Sequence, residues 1–159
     1  RKWCTDFTYL FLANHEVRYN CTIIDLHDRS VIANITDRNI TSDLAIRTLR
    51  KALESQPTIK EGLILHSDQG SQYTSKAFTE FCESVNVTQS MSKAGYPYDN
   101  APMERYFNTL KNECTNLYEF TTEETLYQKV EEFAYVDYNH VRPHSYNGYR
   151  TPYEARTAA

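Results

Sequence analysis

Leu63-Ile64-Leu65-His66-Ser67-Asp68-Gln69-Gly70-Ser71-Gln72-Tyr73 sets a short apolar run, preceded by Gly62, against a polar loop. That is the pattern of a buried strand ending in a turn. Further on, Asp99-Asn100-Ala101-Pro102-Met103-Glu104-Arg105 opens a helix that runs past Lys111. Asn100 or Ala101 stands at its cap, and Pro102 sits in the first turn, where a missing N–H costs nothing. One carboxylate, Asp68, is therefore expected at a strand end and another, Glu104, in the first turn of a helix.

Outward from this stretch, Trp3 to Leu12 alternates and is rich in Thr, Phe, Tyr and Leu, as a strand should be, with Asp6 inside it. Val17 to Asp25 and Val31 to Thr36 form two more strands, joined by short turns into an antiparallel meander. The period then changes. Ala45, Leu49, Ala52 and Leu53 recur at helical spacing behind Thr41-Ser42-Asp43. Leu63 to His66 is the fourth strand. Ser75 caps a helix carrying Phe78, Phe81, Cys82 and Val85, and Val87 to Met91 is the fifth strand. The helix from Pro102 to about Asn116 buries Met103, Phe107, Leu110 and Cys114. Thr121 and Glu124 read as a capping box for a last helix that buries Leu126, Val130 and Phe133 and runs towards Asn139. The tail from His140 reads as irregular. The order β-β-β-α-β-α-β-α-α predicts an α/β fold: a mixed five-stranded sheet with helices on its faces.

The chain has 159 residues, enough for one domain with a real core, and its 40% hydrophobic and 24% charged content are those of a soluble globular protein. No apolar run approaches a membrane span. No signal peptide opens the chain, and the absence of an initiator Met suggests an excised fragment. Cys4, Cys21, Cys82 and Cys114 lie far apart, so neither a zinc site nor a disulfide framework is expected, and a reducing cytoplasm fits. The net charge of −4 argues against a dominant nucleic-acid-binding surface on this piece alone.

Phosphodiester chemistry by the two-metal route needs carboxylates that converge on divalent ions with oxygen ligands. Asp6 and Asp68 lie side by side if the first and fourth strands are neighbours, and Glu104 on a packed helix completes a set. Glu104, Asn108 and Lys111 share one helical face, apart from the Met103/Phe107/Leu110 core face. Against this stands the plainer possibility that these are three of 21 acidic residues on a solvated surface. The loop from Ser92 to Ala101 carries Gly95, Pro97, Tyr96 and Tyr98, aromatics able to stack on bases, and shows no apolar period. It is expected to be mobile without DNA, with Glu104 standing off from the two aspartates.

Trp3-x-Thr5-Asp6-x-Thr8-Tyr9, His66-Ser67-Asp68-x-Gly70-x-Gln72-Tyr73 and Asp99-Asn100-Ala101-x-x-Glu104 resemble the three signatures of the DDE transposases of bacterial insertion sequences. They resemble most the group whose catalytic half is similar to the retroviral integrase core. Leu110-Lys111-x-Glu113, Tyr138-Asn139-x-x-Arg142-Pro143-His144 and Gly148-Tyr149-x-Thr151-Pro152 match the same group. The 35 residues between Asp68 and Glu104 give the D,D-35-E spacing.

The resemblance spans nearly the whole chain and implies a ribonuclease-H-like fold. It also implies nicking at transposon ends with two Mg²⁺ or Mn²⁺ ions, followed by transfer of the freed 3′-OH to target DNA. Asp6, Asp68 and Glu104 match the catalytic metal ligands, and Lys111 matches a basic residue that contacts DNA. Lys93, Arg105 and Asn108 are further candidates for DNA contact. The chain then reads, over residues 1–159, as a single catalytic core without the amino-terminal helix-turn-helix region. It would work as a homo-oligomer on transposon-end and target DNA, without a membrane, in the bacterial cytoplasm at the nucleoid. The rival readings are a ribonuclease-H-like nuclease without strand transfer and an inactive DNA-binding or assembly module.

Overall fold

The computed structural model describes residues 1–59, 61–93 and 100–158. Five strands form one sheet in the order β3-β2-β1-β4-β5: β1 (Lys2–Phe11), β2 (Val17–Asp25), β3 (Val31–Asp37), β4 (Ile64–Ser67) and β5 (Thr88–Met91). β1, β2 and β3 pair antiparallel, while β4 runs parallel to both β1 and β5. The two hairpin turns are closed by side chains. Asn14 Oδ1 accepts the Glu16 N–H at 3.0 Å, and Asp28 Oδ1 accepts the Ser30 N–H at 2.9 Å. Each turn puts a non-glycine residue in the left-handed region, His15 at φ 69° and Arg29 at φ 65°.

The pleat divides the core in two. Trp3, Ile23 and Leu65 face a layer made by α1 (Ser42–Ser55), the short α2 (Ser71–Thr74) and α3 (Lys76–Ser84). Cys4, Leu10 and Ile24 face α4 (Ala101–Glu113), α5 (Glu123–Glu132) and the wider, π-helical continuation of α5 over Phe133–Val141. Thr41 and Ser75 cap α1 and α3, as their positions predict. The mixed five-stranded sheet is the expected one.

Three local expectations need correction. α5 is capped by Thr122, one residue later than the predicted Thr121; Thr122 Oγ1 accepts the Thr125 N–H at 3.3 Å. The capping box lies instead at Thr151 and Glu154, which open α6 (Pro152–Thr157). The tail is therefore ordered. It makes a single turn at Ser145–Asn147, closed by Gly148 at φ 62°, before α6 begins. α2 has no predicted counterpart, because one helical turn is too short to show a period.

Polar side chains bind the tail to the sheet. Asn139 Oδ1 accepts the Val31 N–H at 2.8 Å and its Nδ2 donates to the Val31 carbonyl at 3.0 Å. Nearby, the Tyr135 hydroxyl accepts the Asn34 N–H at 3.0 Å and Lys51 Nζ donates to the Asn34 carbonyl at 3.3 Å. On α6, Arg156 reaches Asp25 at 3.1 Å and Asp28 at 2.9 Å, and also meets Gln56. Both aspartates are buried, and Arg1 also pairs with Asp25. A buried carboxylate left without its cation is costly. Arg156→Ala should lower unfolding stability by about 2–3 kcal/mol, read as the midpoint of a urea titration. An unchanged midpoint would show that solvent replaces Arg156 at no cost.

Candidate active site

The pleat also decides where Asp6 points. Trp3 belongs to the α1/α3 layer and Cys4 to the α4/α5 layer, so period-two alternation puts Asp6 on the α4 side. The parallel ladder pairs Lys2 with Ile64, Trp3 with Leu65 and Cys4 with His66. Continued at the same offset past its last pair, it sets Asp6 opposite Asp68.

Each carboxylate is partly immobilised. Asp6 Oδ1 accepts the Phe7 N–H at 2.8 Å, and Oδ2 accepts Asn100 Nδ2 at 3.1 Å. Asn100 stands at the N-cap position of α4 without a side-chain capping bond and is buried; its Nδ2 bond ties the start of the Glu104 helix to Asp6. Asp68 Oδ1 accepts the Gly70 N–H at 2.8 Å. A Cβ on Gly70 would stand 2.8 Å from that oxygen, so the glycine leaves room for the carboxylate. Glu104 is exposed in the first turn of α4.

Burial, then repulsion from Asp68 and from Glu104, pushes the Asp6 carboxyl up to about 6, against the pull of its two hydrogen bonds. Asp6 thus senses both of the other acidic groups. Among the described residues none of them forms an ion pair, and no three His, Cys, Asp or Glu are grouped closely enough to hold a metal ion as they stand. Hard oxygen donors, mutual repulsion and the lack of a cation partner are what a divalent cation would relieve. The donor set fits one.

Several supporting residues were not singled out by the sequence. The Tyr73 hydroxyl lies 3.2 Å from Thr5 Oγ1 and its ring packs on Phe7 at 5.2 Å, so it clamps both neighbours of Asp6. His66 is buried, with Nδ1 2.9 Å from Ser90 Oγ and Nε2 2.8 Å from Ser92 Oγ. Gln69 Nε2 donates to the Ser92 carbonyl at 3.0 Å, and the Ser92 N–H donates to the Ser67 carbonyl at 2.9 Å. Residues 94–99, with Gly95, Tyr96, Pro97, Tyr98 and Asp99, lie outside the described residues, and with them the expectation of loop mobility. The flanking Ser92 and Asn100 are both pinned.

The other candidates separate. Lys93 is exposed beside the loop. Lys111 lies against the end of β1, in a cavity of about 360 Å³ shared with Tyr9 and Phe11. Arg105 and Asn108 line a different cavity on the flank of α4. All four cysteines are free and buried; burial pushes Cys4 and Cys82 up to about 12 and Cys21 and Cys114 up to about 11, so none is primed as a ligand or nucleophile.

A family model described as integrase core domain matches residues 1–97, and a second with the same description matches residues 85–152. The transposase for insertion sequence element IS904 of Lactococcus lactis is 33% identical over 150 residues, 94% of this chain and 58% of that protein. Transposase InsF for insertion sequence IS3A of Escherichia coli is 34% identical over 152 residues, 96% of this chain and 52% of that protein. The chain thus spans about half the length of these relatives. Among solved structures, a simian T-cell lymphotropic virus intasome superimposes with a TM-score of 0.81 at 17% identity, over 100% of this chain and 55% of that chain. The HTLV-2 integrase catalytic core domain in complex with magnesium, in a dimeric form, superimposes with a TM-score of 0.65 at 18% identity, over 100% of this chain and 96% of that one. The fold is the ribonuclease-H-like one of such cores.

A carboxyl whose folded value lies above its unfolded one destabilises the fold when ionised. Stability is therefore lost as pH rises from about 3.8 through about 6, and the full cost is present above that. Asp6→Asn should raise metal-free stability at pH 7 by about 1–2 kcal/mol and give no gain at pH 4, by urea titration in EDTA. Equal stability of the two proteins at pH 7 would refute the buried, repelled state of Asp6.

Proposed function

The chain belongs to the integrase core domain family, and from that premise we propose that it is the catalytic core of a DDE transposase of an insertion sequence. The observation that carries the reading is one of register. The β1–β4 offset sets Asp6 across from Asp68, and Asn100 brings the Glu104 helix onto the same two strands. In this reading Asp6, Asp68 and Glu104 hold two Mg²⁺ or Mn²⁺ ions. When bound, such ions activate a water or a 3′-OH and stabilise the leaving oxygen of an in-line displacement.

The chain's own contribution is positioning. The Phe7 N–H and Asn100 fix the Asp6 carboxylate, and Gly70 fixes Asp68 with one oxygen left over. Lys111 carries a positive charge about two turns beyond Glu104, where a phosphate of the bound strand would pass. No covalent enzyme intermediate is needed. Transposon-end and target DNA are the proposed substrates, and a homo-oligomer the working state. No helix among the described residues is long and apolar enough to cross a membrane, and the proposed site of action is the bacterial cytoplasm.

Single replacement of Asp6, Asp68 or Glu104 by Asn or Gln should abolish nicking and strand transfer by the full-length protein while leaving a cooperative melt. A pre-cut donor end with a free 3′-OH separates the chemistries, since hydrolysis without joining would assign a nuclease in place of a transposase. Near-normal joining by any one variant would remove that residue from the site. Mg²⁺ or Mn²⁺ should raise the melting temperature of the wild type and not of Asp6→Asn. Gly70→Ala, which crowds the Asp68 oxygen, should cut joining about tenfold or more with little change in melting temperature.

A further inference from the structure

A second cavity, of about 340 Å³, lies on the flank of α4 that carries Arg105 and Asn108. Its other walls are the β2–β3 turn, with Arg29, and the tail, with Arg142, His144 and Tyr146. Three elements distant in sequence thus bring three guanidinium groups to one hollow. Only one is balanced: Arg142 pairs with Glu113 at 3.0 Å. Arg29 and Arg105 form no ion pair among the described residues.

Arg29 is held in an unusual way. Asp28 closes the turn with hydrogen bonds to the Ser30 N–H and hydroxyl, and this leaves Arg29 in the left-handed region at φ 65°. Its Cζ lies 4.1 Å from the centre of the Tyr146 ring. The Tyr146 hydroxyl lies 3.5 Å from the Leu26 carbonyl, and the next residue is tied to the same turn, where Asn147 Nδ2 donates to the Asp28 carbonyl at 2.8 Å. Among the described residues, the buried Arg29 Nη1 has no hydrogen-bond partner, and the same holds for Nε2 of His144, which is only 9% exposed. A charged group desolvated on one side and unpaired is expensive to keep. Stacking on a tyrosine offsets part of that, but a purely structural arginine would be expected to meet a carboxylate. The tail motif Arg142-Pro143-His144 supplies this wall, while Asn139 of the same stretch is used up on Val31.

We propose that this cavity seats one backbone phosphate of the DNA strand worked on at Asp6, Asp68 and Glu104, an inference that rests on the function proposed above. Planar guanidinium forks match phosphate oxygens, and Asn108 adds a neutral donor. Arg105 follows Glu104 directly, about 100° around α4, so a strand held here would pass on the flank of α4 next to the candidate active site.

The test is binding of a fluorescein-labelled DNA duplex by anisotropy over a range of salt, together with NMR of the arginine Nε–H groups during titration with inorganic pyrophosphate. Arg29→Asn, which tolerates the left-handed backbone, and Arg105→Ala should each weaken DNA binding roughly fivefold. Each should also reduce the slope of log affinity against log salt by about one. Lys76→Ala, on the opposite layer, serves as control and should change neither. Pyrophosphate should shift the Nε–H signals of both arginines in the wild type. Variants that match the wild type in affinity and slope would overturn the phosphate site and leave the transposase reading standing. A pyrophosphate response without any DNA binding by the wild type would overturn the assignment to DNA. Loss of strand transfer in the wild type, with the variant effects on binding intact, would instead count against the proposed function alone.

Discussion

The three-residue parallel ladder between β1 and β4 is the contact on which the rest depends. Lys2, Trp3 and Cys4 pair with Ile64, Leu65 and His66, and both strands then leave the ladder with an aspartate two residues on. A slip of one residue would turn Asp6 into the α1 layer and Cys4 out of the α4 layer. The register is held by what lies on either side. Trp3 and Leu65 are buried in one layer, Cys4 in the other, and His66 ties β4 across to β5. Placing the carboxylates is therefore a by-product of burying the core correctly.

Much of this was legible in the sequence. Strands β1 to β3 alternate with period two and have turn residues between them, so both ends of each could be read closely. α1, α3 and α4 carry apolar stripes, with local side-chain caps on α1 and α3 and a proline in the first turn of α4. Asp6, Asp68 and Glu104 stood out through ordered motifs at a set spacing, and the structure puts the first two on one line and brings the helix of the third to Asp6. What was not legible is what has no period. The one-turn α2 and the Ser145–Asn147 turn are too short to repeat, and the cap of α5 could be either of two adjacent threonines. His66, Tyr73 and Asn100 lay inside the quoted motifs, but their roles depend on partners 24, 68 and 94 residues away, a distance over which single-sequence patterns say nothing.

The tail shows the same limit from the other side. Its prolines, tyrosines and histidines read as irregular because no apolar stripe runs through them. Its order comes from polar contacts: Asn139 on Val31, Asn147 on Asp28, and Arg156 on two buried aspartates. Asp25 and Asp28 pair with Arg1 and Arg156, so this network adds nothing to the net charge of −4, whereas Arg29 and Arg105 on the α4 flank form no ion pair among the described residues.

The polar contacts along β3 have a consequence for assembly. β3 is one of the two outer strands of the sheet, and an outer strand offers unused N–H and C=O groups to any other extended chain. Here Asn139 occupies both groups of Val31, while Tyr135 and Lys51 take the N–H and C=O of Asn34. The side chains of α1 and the α5 continuation act as a fringe that imitates a sixth strand without being one. Strand addition is blocked at Val31 and Asn34 of that edge, where a second extended chain would find the pairing groups already taken.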